Sequence, residues 1–592
     1  MSAQAWPNLA TMFFEQAERL GGKPFLWAKR DGAYAPLSWR QAADKIRALA
    51  HGLHKLGVGQ GDRVILVSEN RPEWLIADVA VMALGAVTVP AYATNTEDDH
   101  QYILENSGAM GAIISTRRLA GRFLPAAHRS AAAKFVIAME APELSQQLSV
   151  DILNWDDALS EKAEDLELPP LTRADTSCIM YTSGTGGAPK GVMLSHGAIL
   201  HNCAGARDAL EELGLGDETF LSFLPLSHSY EHSAGQFFPI SIGAQIYYAE
   251  GVETLAKNMA EARPTIMTAV PRLYESLHGR IMHGVKMAGG AKEKMFFKAL
   301  ELGKMRYHGA PLSLGQRLQD MALEKLVRAK VRKRFGGRLK ALVSGGAPLN
   351  PDIGLFFIAL GLRILQGYGL TESGPVVSVN RSHNARVDAV GPPLAGVEVK
   401  IADDGEILVR GELLMQGYWR NEAATNESLR GGWLYTGDIG HIDADGSLRI
   451  TDRKKDIIVN SGGDNISPQR VEGILTLEPE IAQAMVYGDR RSHLAGLLVP
   501  DQDWMRQWAR GNGKTGNISG DEDFRKALAQ VVDRVNESLS SIEKVRRFII
   551  AGDSFTIDNA LMTPTMKIRR HKIMDVYGGR LAALYKNANT HK

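Results

Sequence analysis

Residues Tyr181 to Gly191 read Tyr-Thr-Ser-Gly-Thr-Gly-Gly-Ala-Pro-Lys-Gly. Glycines let backbone N–H groups close on an anion with no Cβ in the way, and Thr182, Ser183 and Thr185 add hydroxyl donors. Lys190 supplies a point charge. The chemistry that suits this run is holding a polyphosphate. It is not the G-x-x-x-x-G-K-[ST] loop, because Ala188-Pro189 precedes the lysine and Gly191 follows it. By composition alone it reads equally as a flexible surface loop. Other residues able to do chemistry are scattered: Glu372 beside Thr371, Asp438, Arg453, Lys567, and the pair His228 and His232. Taken singly, each has a plain structural reading. Tyr368 suits a core, Asp438 and Arg453 suit solvated turns, and two histidines four apart lack a third ligand for a metal.

Elements must bring these residues together. A chain of 592 residues exceeds what one core supports, so more than one domain is expected. Ser38-Trp39-Arg40-Gln41 opens a capped helix, Val64 to Val67 is a strand, and Glu73 to Leu84 a helix. Ala86 to Pro90 and Ala112 to Ser115 are further strands, the β-α-β alternation of a parallel sheet whose ligands bind at the carboxyl ends of its strands. Apolar Ser177 to Met180 leads into the glycine-rich loop as a strand, with a strand or helix after it. Phe220 to His228 reads as a strand ending in a polar cluster. Leu273 to Arg334 reads as a solvated helical pair. Leu339 to Ser344 and Arg363 to Gln366 are strands closed by glycines. After Gly391, short alternating runs with Asp/Gly turns indicate antiparallel sheet. The charged knot Asp452-Arg453-Lys454-Lys455-Asp456 marks a boundary, which divides the chain into 1–454 and 455–592.

The opening run resembles the phosphate-binding signature of the adenylate-forming superfamily of acyl-CoA synthetases, luciferases and peptide-synthetase adenylation domains. Further motifs follow in that family's order. Gln366-Gly367-Tyr368-Gly369-Leu370-Thr371-Glu372 resembles its adenine and magnesium motif. There the ring of Tyr368 would stack on the base, Thr371 meet the α-phosphate, and Glu372 help hold Mg²⁺, with Thr185 as a second ligand. Gly345, Gly346, Ala347 and Pro348 resemble the wall behind the purine. Tyr435-Thr436-Gly437-Asp438 resembles the ribose motif, with Arg453 a second contact. Lys455 lies at the family's hinge, and Gly462 and Gly463 resemble the loop lining the pantetheine path. Thr563-Pro564-Thr565-Met566-Lys567 resembles the motif whose lysine enters the site from a mobile domain. His228 and Tyr230 lie in the run lining the acyl carboxylate.

The resemblance implies an α/β fold: a large N-terminal domain of parallel α/β sheets with a small antiparallel β region, then a small mobile α+β C-terminal domain. Gly432 to Gly440, Asp452 to Asp456, Asn460 to Pro468 and the helical segment before the adenine motif look most like long-chain fatty acyl-CoA synthetases. The implied substrates are a carboxylic acid, ATP with Mg²⁺, and coenzyme A. Acetyl-type relatives carry an arginine after the Gly462-Gly463 loop where this chain has Asp464, which argues against a short-chain acid. A ligase for an aryl or other acid, and an ATP-binding regulator without catalysis, stand as alternatives. A peptide-synthetase domain is disfavoured because no carrier domain follows.

Lys+Arg 68 against Asp+Glu 67 offers no field to collect nucleic acid. Only Cys178 and Cys203 occur, which speaks against disulfides and fits a reducing cytosol. Met1 to Leu20 has no secretory pattern, and Trp74 to Ala93, interrupted by Asp78 and Gly85, reads as buried helix and strand rather than a membrane span. A cytoplasmic protein is expected, with peripheral membrane contact compatible and oligomeric state open between monomer and homodimer.

Overall fold

Two eight-stranded sheets share one layer of helices. The computed structural model describes residues 6–143, 147–159, 168–182, 188–516, 518–563 and 567–586. One sheet runs Gly417–Tyr418, Lys190–Ser195, Thr176–Thr182, Val87–Ala91, Arg63–Val67, Gly111–Ile114, Phe135–Ala138, Asp151–Asn154. Its strands are parallel apart from Lys190–Ser195, which folds back on Thr176–Thr182 as a hairpin, and Gly417–Tyr418, which is antiparallel to it. The other runs Val376–Val379, Ile364–Gly369, Ala341–Ser344, Ile266–Ala269, Thr219–Ser222, Gln245–Tyr248, Pro24–Arg30, Ala33–Ser38, parallel in its centre.

The shared layer explains the most apolar helix. Every residue of Pro72–Ala83 except Glu73 is buried, as a helix apolar on all sides requires. One cluster joins Leu66 and Ile113 of the first sheet to Phe220 and Leu365 of the second. Helix Trp39–Lys55 starts at a capping box: the Ser38 hydroxyl accepts from the Gln41 N–H at 3.2 Å and the Gln41 side chain accepts from the Ser38 N–H at 2.9 Å.

A five-stranded antiparallel sheet follows, built from Glu398–Ile401, Glu406–Arg410, Leu429–Arg430, Trp433–Ile442 and Leu448–Arg453. The last part of the chain is α+β. Its three-stranded sheet, Ile481–Tyr487, Leu494–Pro500 and Val545–Ile550, carries helices Pro468–Leu475 and Glu522–Ser538 on one face and Arg570–Lys586 on the other.

Two segments differ from the sequence reading. Thr219–Ser222 is shorter than expected, and its continuation turns into a π-helical segment, Glu231–Phe237. The expected solvated helical pair is instead three helices, Pro271–Ala288, Gly290–Tyr307 and Leu314–Leu323, the last running through a π turn, Glu324–Arg328, into Ala329–Arg334. The reason is burial. Phe296, Leu302, Leu323 and Val327 join a core with Phe356 and Phe357 of helix Pro351–Ala359. Arg328 is fully buried, donating to the carbonyls of Ala359 at 2.9 Å and Ala299 at 2.7 Å and pairing with Asp320 at 2.7 Å. A buried guanidinium with its donors engaged ties the helices together.

Candidate functional site

The candidate residues converge because their segments leave the carboxyl ends of neighbouring strands. Gly345 to Pro348 follow Ala341–Ser344, Thr371 and Glu372 follow Ile364–Gly369, and the run to His228 follows Thr219–Ser222. The antiparallel sheet brings Asp438 and Arg453 opposite each other in register.

The Asp438 carboxylate has two named partners. The Tyr368 hydroxyl donates to its Oδ2 at 2.7 Å, and Arg453 Nε donates to its Oδ1 at 3.1 Å. Burial, then the negative charge of Asp438, raises the Tyr368 phenol well above its ordinary value, so it stays a donor. Ring, carboxylate and guanidinium therefore form one unit. Gly369 must be glycine here: a Cβ would fall 1.7 Å from the Pro375 carbonyl oxygen. Gln366 is buried with its amide donating to the Val387 carbonyl at 2.7 Å, so it pins the neighbouring loop.

A second group surrounds Glu372. The Tyr418 hydroxyl donates to Glu372 Oε1 at 2.8 Å, and Lys190 Nζ stands 4.8 Å from the centre of the Tyr418 ring. Tyr418 arrives there through pairing of Gly417–Tyr418 with the strand that begins at Lys190. Sequence reasoning missed it, since nothing near Tyr418 marks it. Thr371 Oγ1 is 3.0 Å from Ser229 Oγ, a second unforeseen neighbour. Thr182 pairs across the hairpin with Lys190. Ser183, Gly184 and Thr185 lie outside the described residues.

Gly345 and Gly346 leave room for the wall expected of them. A Cβ on Gly345 would stand 3.0 Å from the Tyr230 ring, and Gly346 has φ +81°, while Ala347 and Pro348 are exposed. Tyr230, expected near the reacting carbonyl, is buried and donates its hydroxyl to the Val343 carbonyl at 2.9 Å, so it braces the wall. His228 is half-buried, and its Nδ1 accepts from the Tyr230 N–H at 3.1 Å. Burial and the nearby Lys567 charge depress it to about 4, so it is neutral near pH 7. His232 points elsewhere, its Nε2 2.9 Å from Asp78 Oδ2 in the core. Between them Glu231 is buried, accepting from Ser222 at 2.7 Å and Thr268 at 2.6 Å, and burial raises it to about 7.

Lys567 comes from the C-terminal part of the chain. Its backbone N–H donates to the Thr563 hydroxyl at 3.1 Å and its carbonyl accepts from the Thr563 N–H at 2.7 Å. The residue is exposed, and loss of solvation beside the surrounding protein, then the Arg453 charge, lower its ammonium to about 8, with Asp438, Glu372 and Asp456 opposing. One ammonium thus stands within electrostatic reach of both groups. Lys455 is exposed just after Leu448–Arg453. Gly462 and Gly463 lie in a loop held by Asn460, whose Oδ1 accepts from the N–H groups of Gly462 at 2.8 Å and Asp464 at 2.9 Å. Among the described residues no cluster of three or more His, Cys, Asp or Glu side chains is placed to hold a metal by itself.

Comparison with known proteins gives the same architecture. The sequence pattern of AMP-binding enzymes matches residues 13–419, and that of the AMP-binding enzyme C-terminal domain matches residues 455–589. A long-chain-fatty-acid–CoA ligase, FadD15 of Mycobacterium bovis, is 34% identical over 98% of this chain and 97% of its own. The peroxisomal long chain acyl-CoA synthetase 7 of Arabidopsis thaliana is 32% identical over 94% of this chain and 82% of its own. The crystal structure of the adenylation domain of a carboxylate reductase from Mycobacterium chelonae superposes with a TM-score of 0.77 at 21% identity, covering 98% of this chain and 92% of that one.

Proposed function

Because the chain belongs to the AMP-binding enzyme family, we propose that it is a ligase joining a long-chain fatty acid to coenzyme A while cleaving ATP to AMP and pyrophosphate. The substrate class rests on full-length likeness to ligases of that name. The observation that carries the chemistry is the gathering of Tyr368, Asp438 and Arg453 into one hydrogen-bonded unit, with Glu372, Tyr418 and Lys190 forming a second; the charges of both units act on Lys567 of the C-terminal part.

Two steps follow. A fatty-acid carboxylate oxygen bonds to the α-phosphorus of ATP as the bond from that phosphorus to the bridging oxygen breaks and pyrophosphate leaves. Charge builds on the α-phosphate and its ligands, and the Lys567 ammonium, largely protonated at pH 7 with a pKa about 8, stabilises it. Asp438, oriented by Tyr368 and Arg453, accepts from the ribose hydroxyls, Gly345 to Pro348 flank the purine, and Lys190, Thr182, Ser183, Gly184 and Thr185 hold the phosphates. Glu372, with oxygen donors from Thr185 and the phosphates, suits Mg²⁺, which takes one or two carboxylates plus substrate oxygens rather than a protein cage. Bound there, the ion would neutralise phosphate charge. Neutral His228 faces the acid without adding a positive charge.

In the second step the thiol sulfur bonds to the acyl carbon, the thiol proton passes to solvent, and AMP leaves with the electrons of the acyl–oxygen bond. A carboxylate does not react with a thiol without such a leaving group. The part from Lys455 onward turns about that residue, withdraws Lys567, and brings Gly462 and Gly463 to the thiol arm. Long-chain acids partition into bilayers, which places the enzyme's supply at a membrane surface. No helix among the described residues is long and apolar enough to cross one.

Acid-dependent ATP–pyrophosphate exchange over acetate, octanoate, palmitate, oleate, benzoate and a hydroxycinnamate tests this reading. A maximum at palmitate or oleate supports it. A maximum at the aryl acids keeps adenylation and discards the fatty acid, and no exchange with any acid from ATP-binding protein discards catalysis.

A further inference from the structure

The helical column from Leu314 to Arg334 carries apolar residues on the side that faces water. Leu314, Leu318 and Met321 are 80%, 65% and 61% exposed. Their spacing of four and three residues sets them on one stripe. The opposite side is already engaged, with Leu323 and Val327 in the core and Arg328 holding the carbonyls of Ala299 and Ala359.

Charge singles out the same region. From Arg272 to Lys340 there are seventeen lysines and arginines against five acids, a net +12 in a chain whose total is +1. Arg317, Lys325, Lys330, Lys333 and Arg334 are exposed on the column. Its two acids are engaged elsewhere, Asp320 with Arg306 and Arg328, and Glu324 with Arg328 and Arg332.

We infer that this column is the face by which the protein docks on an anionic lipid bilayer. Leu314, Leu318 and Met321 enter the boundary between headgroups and acyl chains, and the five cations meet lipid phosphates. An apolar stripe flanked by lysine and arginine is the form such interfacial helices take, and each cation near the surface strengthens the contact. A nucleic acid would satisfy the cations and leave the leucines in water. A second copy docked face to face would set one positive segment against another. The inference does not rest on the acid chosen above, since a ligase for an aryl acid carrying this column would dock in the same way.

Flotation of the full chain with phosphatidylcholine vesicles, with and without about one-third phosphatidylglycerol, tests it. The expected result is binding to the anionic vesicles alone, weakened by salt. Leu318→Glu/Met321→Glu should lower partitioning by roughly tenfold or more, and Lys330→Glu/Lys333→Glu by a similar factor, with octanoate turnover and circular dichroism unchanged. The inference is overturned if the wild type ignores anionic vesicles or if the Leu318→Glu/Met321→Glu protein floats like the wild type. It is overturned equally if heparin or duplex DNA is bound in preference to vesicles, or if sedimentation reveals a dimer that the Leu318→Glu/Met321→Glu change dissolves. Flotation as expected together with no exchange on long-chain acids would remove the substrate reading and leave the docking face standing.

Discussion

The hydroxyl of Tyr368 donates to the carboxylate of Asp438 at 2.7 Å, so the ring assigned to adenine and the acid assigned to ribose are tied to each other by the protein's own hydrogen bond. Tyr368→Phe keeps the ring and removes that bond, leaving Asp438 to Arg453. Loss of one hydrogen bond to a charged group should raise the KM for ATP roughly fivefold to tenfold with kcat little changed. Steady-state kinetics at saturating acid and coenzyme A check it, and an unchanged KM would remove the positioning role of the hydroxyl.

Tyr418→Phe should act on the magnesium side. It removes the 2.8 Å bond to Glu372 and keeps the ring beneath Lys190. The expected outcome is roughly a tenfold rise in the Mg²⁺ concentration needed for half-maximal exchange. A Mg²⁺ titration of the exchange rate measures this.

Lys567, in the role proposed for it, should set an alkaline limit. Its pKa is lowered to about 8, and the protonated form is the one that stabilises charge, so adenylation should fall as pH rises through about 8. Lys567→Arg, always charged, should abolish that limb even if its maximal rate is lower. A pH–rate profile of the first half-reaction decides, and an identical limb in both proteins would assign it to another group.

Glu231 links stability to pH. Its folded pKa of about 7 lies above the ordinary carboxylate value of 4.5, so the folded state holds the proton more tightly. The fold therefore loses stability as pH rises from 4.5 to about 7 and levels off above that, by a total of about 3 kcal/mol. Glu231→Gln should flatten this slope. Denaturant unfolding of both proteins at pH 5 and pH 8 measures it, and parallel curves would contradict the assignment.

Lys455→Pro should lock the turn after Leu448–Arg453, sparing exchange while lowering thioester formation by roughly tenfold or more. Equal loss of both half-reactions would place the hinge elsewhere.

What could be read from the sequence follows from locality. Ser38 with Gln41 announces a helix start within four residues, and the run from Trp74 to Ala93 is apolar enough to be a buried helix and strand. Both readings agree with the structure. Neighbouring residues do not reveal that Tyr418 reaches Glu372, because that contact depends on a strand pairing with Lys190–Ser195. Nor do they reveal that Gln366 serves a neighbouring loop or that Tyr230 braces Gly345, since motif position says which residues gather and not which atom each uses. The three-helix segment differs from its solvated expectation because basic composition speaks of the exposed side alone, whereas Phe296, Leu302 and the buried Arg328 anchor the other.

The most direct measurement separates the two half-reactions in Lys567→Ala. With palmitate and MgATP, pyrophosphate release should fall by roughly 10²–10³-fold or more. With palmitoyl-AMP supplied, transfer to coenzyme A should run near the wild-type rate, because the proposed second step proceeds with the lysine withdrawn. Equal loss of both reactions, or full pyrophosphate release without the lysine, would contradict the two-step chemistry assigned here.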